Sequence, residues 1–182
     1  MRVAYYLGRL EYGERELTKA LRKLGERYAQ DYEISEVSHQ LAGWSWAQVS
    51  AVLSFADTYG KIEQPAARSR RPAHPRPAPG LALLLDLQEV LLIAHAARTD
   101  CTILYQSART LKDKALEQYC ADCGDQIDRQ IAWLCTRIKV MAPQAVTVLV
   151  PEVRSTSARP KPSPKPAARP KVLPHAAPKS GH

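Results

Sequence analysis

Residues 1–64 and 80–142 contain no proline, the residue that breaks helix interiors, although the 182-residue chain has 14 prolines. No acidic residue occurs in 64–80 or 153–182, which hold four and seven Lys/Arg. The formal net charge of +8 therefore belongs to those two segments, and without them the chain is mildly acidic. An evenly basic nucleic-acid-binding domain is excluded. The eight glycines are scattered and none opens a helix after a strand, which excludes a Gly-rich phosphate loop. Of five histidines, His74 and His175 fall in the basic segments and His182 is terminal, so no nucleophile with an ordered base can be assembled. No apolar core of signal-peptide length precedes Glu11. The most apolar run, Leu81 to Ala97, is interrupted by Asp86, Gln88, Glu89 and His95 and falls short of the roughly 20 residues of a membrane span. A soluble cytoplasmic protein without a membrane span is expected, with its four cysteines as reduced thiols.

What is present reads as helices. Leu17, Leu21, Leu24 and Tyr28 recur at helical spacing after Gly13, with Glu14 and Glu16 near the start, where carboxylates suit the helix dipole. Ile34, Val37, Leu41, Trp44, Val49, Val52, Ala56 and Tyr59 form a second set in shifted phase. The break between the two falls at Gln30–Asp31 or at Gly43, where Ser45 could cap a helix ending at Gly60. Leu84, Leu87, Leu91, Ala94, Ala97, Cys101, Leu104, Ala108 and Leu111 define a third stretch. Leu116, Cys120, Cys123, Ile127, Ile131, Leu134, Ile138 and Met141 define a fourth, ending before Pro143. Thr110 and Asp113 resemble a capping box, so the link is short and this pair antiparallel. Val146 to Val150 is β-branched with no second strand to pair with, and is expected to be an extended tail.

The expected fold is all-α: an antiparallel four-helix bundle over 1–143, with helical hairpins 10–60 and 81–142, a disordered basic crossover 64–80, and an extended, disordered tail 144–182. Residues 10–142 resemble the ferritin-like four-helix bundles, through this topology and through Glu36-Val37-Ser38-His39, which looks like that superfamily's Glu-x-x-His pair. The resemblance implies a dinuclear iron or manganese site between the helices. It would use Glu36 and His39 with Glu89 and Asp125, or the neighbouring Asp122 or Asp128, and Glu26 or Asp31 from the first helix. The fourth helix offers no second Glu-x-x-His.

Three further features carry chemistry. Pivoting the second hairpin near Leu111 sets Cys101 opposite Cys120 and Cys123, a group able to hold zinc with a fourth ligand, to act as a redox pair through Cys120 and Cys123, or simply to fill core volume. Trp44 and Trp46 flank Ser45 and cannot share a direction, so one should be exposed, as a partner surface or a helix staple. The tail alternates base with proline through Arg159, Lys161, Lys165, Arg169 and Lys171, favouring an extended, solvated segment and weak, salt-sensitive contact with nucleic acid or an acidic protein surface. The preferred functional expectation is a non-catalytic binding or scaffold protein, with a homo-oligomer among the expected partners. The alternatives are a ferritin-like metal-binding oxidoreductase and a nonspecific DNA binder acting through its tail.

Overall fold

A computed structural model describes residues 2–62 and 79–147. Its elements are α1 (Val3–Arg27), α2 (Tyr32–Leu53), the single turn α3 (Ala56–Tyr59), α4 (Pro79–Leu111) and α5 (Lys114–Thr147). No strand occurs among the described residues. The four long helices form a bundle, as the proline-free periodicity implies. The crossover and tail expected to be disordered, 64–80 and 144–182, lie almost wholly outside the described residues.

α1 buries Leu7, Leu10, Glu14, Leu17, Leu21 and Leu24, an alternation of three and four that keeps one seam facing inward. α4 does the same through Leu87, Val90, Ala94, Ala97, Cys101, Leu104 and Ala108, and α5 through Leu116, Cys120, Cys123, Ile127, Gln130 and Leu134. These residues join Ile34, Leu41 and Val52 of α2 in one continuous core. Truncating a fully buried leucine here, such as Leu104, should cost about 2–5 kcal/mol.

Polar pairs fix the helix directions. The Arg9 guanidinium donates to Asp100 at 2.8 Å near one end, and Arg27 and the Tyr28 hydroxyl each donate to Asp86 at 2.8 Å near the other, so α1 and α4 are antiparallel. Gln48 donates to Gln126 at 3.1 Å while Arg137 pairs with Glu33, so α2 and α5 are antiparallel too. With two antiparallel hairpins, α1 and α5 run one way and α2 and α4 the other. Tyr59 donates to Asp113 at 2.5 Å, at the bundle end where α5 begins, whereas Gly80 lies against Ala145 near the far end of α5. The end of α3 and the start of α4 therefore lie at opposite ends of the bundle.

Several boundaries differ from those expected. α1 begins at Val3, so Gly13 lies inside it. There a Cβ would stand 3.2 Å from the Ala97 Cβ, which makes Gly13 a close helix–helix contact. The break between α1 and α2 is at 28–31, where Asp31 accepts from the Ile34 amide at 3.1 Å; Gly43 sits within α2 facing open space, and Ser45 is buried instead of capping. α2 is followed by a two-residue turn and α3, which ends at Gly60 with φ of 87°. Asp113 itself caps α5, accepting from the Leu116 amide at 3.0 Å, while the Thr110 hydroxyl donates back to the Gln106 carbonyl, so the pair is not a capping box. α5 continues past Pro143 and takes in Val146 and Thr147; the last turns are largely exposed, where a missing amide donor is cheap to lose. Residues 148–150 lie outside the described residues.

α4 is long and apolar enough over Gly80–Leu111 to cross a membrane, judged by length and composition. Its apolar seam instead packs on α1 and α5, and its Asp86 and Asp100 are paired with arginines of α1.

Candidate functional site

The carboxylates and imidazole expected to hold a metal do not meet. Glu36, His39, Glu89 and Asp125 are all exposed, as are Asp122, Asp128, Glu26 and Asp31. The inward face of α2 is set by Ile34, Ser38, Leu41 and Ser45, and Glu36 lies two residues from both Ile34 and Ser38, on the opposite side of the helix. The His39 Nδ1 is 2.7 Å from the Ser35 carbonyl oxygen, and its ring lies so close over Gly25 that a Cβ there would come within 2.6 Å. His39 thus closes the α1–α2 contact. Asp128 receives the Arg98 guanidinium at 2.8 Å. Among the described residues, no group of three or more His, Cys, Asp or Glu side chains is arranged to hold a metal ion.

The polar centre of the bundle is a different set. Glu14 of α1 is fully buried, with its Oε1 3.8 Å from the Cys123 Sγ and its Oε2 without a hydrogen-bond partner. Burial raises its pKa to about 7 from an ordinary 4.5, while the Ser45 hydroxyl and the Cys123 thiol favour the carboxylate. From α5, the Gln130 side chain donates to the Leu41 carbonyl at 3.1 Å and to Ser45 Oγ at 2.9 Å. Gln130 Oε1 and Ser38 Oγ are buried without partners. By contrast, buried Glu11 pairs with Arg15, and buried Asp100 with Arg9, at the bundle's edge.

The three core thiols adjoin this centre. The Cys101 thiol donates to the Cys120 carbonyl at 3.1 Å, as the hairpin register requires. All three are buried and unpaired in disulfides, whereas Cys135 is half-buried further along α5. Hydrogen bonds from Cys120 and Cys123, and then the Arg98 guanidinium, favour the thiolate at Cys101. The same contacts, with burial, push Cys120 and Cys123 up.

Sequence periodicity based on apolar residues passed over Glu14, Ser45 and Gln130. The available signal was positional: Glu14 falls in the three–four alternation between Leu10 and Leu17, and Gln130 in that between Ile127 and Leu134. Of the tryptophans, Trp46 is 47 % exposed, while Trp44 is half-buried with the Arg129 guanidinium 5.9 Å from its ring. On the outer side of the α1–α4 contact lies a groove of about 380 Å³. Leu24, Val90 and Ile93 contribute its apolar lining, and Lys19, Lys23 and Glu89 its charged lining. Arg159, Lys161, Lys165, Arg169 and Lys171 lie outside the described residues. No protein-family model matches the chain, nor does any curated protein or solved structure.

Proposed function

We propose that the protein is a non-catalytic, ferritin-like helical bundle that acts by binding or scaffolding, with its basic tail making weak contact with an anionic partner. The helix order, two antiparallel hairpins with α3 ending and α4 beginning at opposite ends of the bundle, supports the ferritin-like reading. The observation that carries the non-catalytic reading is the outward placement of Glu36 and His39, with the imidazole engaged on the Ser35 carbonyl. Di-metal bundles of this topology need carboxylates and imidazoles converging on the axis. Among the described residues the buried carboxylates are Glu11, Glu14 and Asp100; Glu11 and Asp100 pair with arginines, and Glu14 adjoins Ser45 and the Cys123 thiol. Exposed Trp46 and the α1–α4 groove offer apolar surface with charged margins, which suits protein contact.

Metal analysis of untagged protein, purified without chelators, tests this reading. Iron and manganese together should stay below about a tenth of an ion per chain; about two per chain would replace it with a metal-dependent oxidoreductase. The tail is tested separately by deleting residues 153–182. A low-salt gel shift with duplex DNA should vanish on deletion, and an unchanged shift would remove the tail from the proposal.

A further inference from the structure

We propose that Cys101 and Cys123 are an oxidisable pair, joined as a disulfide across the α4–α5 contact by hydrogen peroxide, with Glu14 accepting the proton released by Cys123. This does not depend on the scaffold reading.

Three arrangements point to it. First, the sulfur of Cys101 meets the turn of α5 that carries Cys120 and Cys123, so the nucleophile and its resolving thiol come from facing helices. Secondly, Glu14 lies on the Cys123 side of that contact, with Oε1 3.8 Å from the Cys123 Sγ and Oε2 unpartnered. A proton acceptor thus stands at one thiol of the group and not at Cys120. Thirdly, the α2–α5 seam beside it is polar, with the Gln130 side chain donating to the Leu41 carbonyl and to Ser45 Oγ. Gln126 Nε2, Gln130 Oε1 and Ser38 Oγ are buried there without partners, and Gln48 and Gln126 are only half-buried at its outer edge. Atoms of that kind hydrogen-bond to water, or to a molecule as small and polar as a peroxide.

Arg98 supports the first step. Its guanidinium lies over Gly124, 3.4 Å from where a Cβ would stand, and it favours negative charge at Cys101. The Cys101 thiolate attacks one peroxide oxygen and the O–O bond breaks. This gives a sulfenic acid and hydroxide, and the hydroxide takes up the proton that Cys101 released. The Cys123 sulfur then attacks the sulfenic sulfur and the S–O bond breaks. Glu14 receives the Cys123 proton and returns it to the leaving hydroxide. Two thiols and one peroxide become one disulfide and two waters. The two sulfur atoms are oxidised and the peroxide oxygens are reduced.

The test uses the reduced, full-length protein with a small excess of hydrogen peroxide under anaerobic conditions. Samples are quenched with N-ethylmaleimide in denaturant and mapped by tandem mass spectrometry. Two thiols should be lost to a dithiothreitol-reversible Cys101–Cys123 link, while half-buried Cys135 is not cross-linked. The Cys101→Ser variant should form no link between α4 and α5. Glu14→Gln should slow link formation at least about ten-fold at neutral pH, in keeping with loss of a general base. Three results would overturn the proposal: every core thiol still alkylatable after peroxide, a Cys101–Cys120 or Cys120–Cys123 link instead, or an unchanged rate in Glu14→Gln. The wild-type linkage map decides the first two even if a variant fails to fold.

Discussion

Glu14 should make the bundle less stable as the pH rises through the neutral range. Its folded value of about 7 lies above the ordinary 4.5, because a buried carboxylate on the axis has only a weak thiol contact and a serine hydroxyl to offset lost hydration. Between those pH values the folded chain keeps a proton that the unfolded chain has released, so stability falls as the pH climbs from 4.5 to about 7. Below 4.5 both states are protonated and above about 7 both are ionised, so this contribution is flat outside the window. The separation corresponds to about 3 kcal/mol, or roughly 10 °C in Tm for a chain of this size. Glu14→Gln keeps the shape of the side chain and removes the charge. Urea unfolding of both proteins at pH 4.5 and pH 8 isolates the residue, because contributions from other titrating groups cancel in the difference. The wild type should lose about 3 kcal/mol more than the variant across that interval. Parallel curves would show that Glu14 is hydrated or paired, and would refute the reasoning.

The glycines of α1 and α2 should respond in opposite directions. Gly13→Ala forces a methyl against Ala97 and should cost about 1–3 kcal/mol in chemical unfolding, whereas Gly43→Ala, in open space within α2, should gain roughly 0.5–1 kcal/mol. Asp113→Ala removes both the cap of α5 and the acceptor of the Tyr59 hydroxyl, and a thermal melt should register a loss of about 1–2 kcal/mol. Lys112 takes φ of 57° between α4 and α5, so Lys112→Gly should stabilise by up to about 1 kcal/mol, read from the urea midpoint.

The fold was legible because nothing in the sequence contradicts it. Apolar steps of three and four run through proline-free segments of matching length, and the register of the second hairpin follows from its pivot, which sets Cys101 against the turn of Cys120 and Cys123. The polar centre was hidden for a reason of the same kind. Apolar periodicity carries no signal from polar residues, which leaves Glu14 as a helix-start carboxylate and Ser45 as a cap. Glycine misled similarly: Gly13 resembled a boundary but serves close packing on Ala97, a role defined by a partner 84 positions away. In the Glu-x-x-His motif, a spacing of three residues settles only that two side chains share a helix face. Which face is inward was set by Ile34, Ser38, Leu41 and Ser45, two of them serines without apolar signal.

The most direct test of the central claim is calorimetric melting of the untagged protein in Mn(II) and again in chelator. A metal bound only to the folded chain at a hundred times its Kd would add about 2.7 kcal/mol, several degrees in Tm. With Glu36 and His39 facing outward and no group arranged to hold an ion among the described residues, the two melts should coincide within about 1 °C. A rise of several degrees in Mn(II) that disappears in a Glu36→Ala, His39→Ala double variant would contradict that claim and place the metal at the motif.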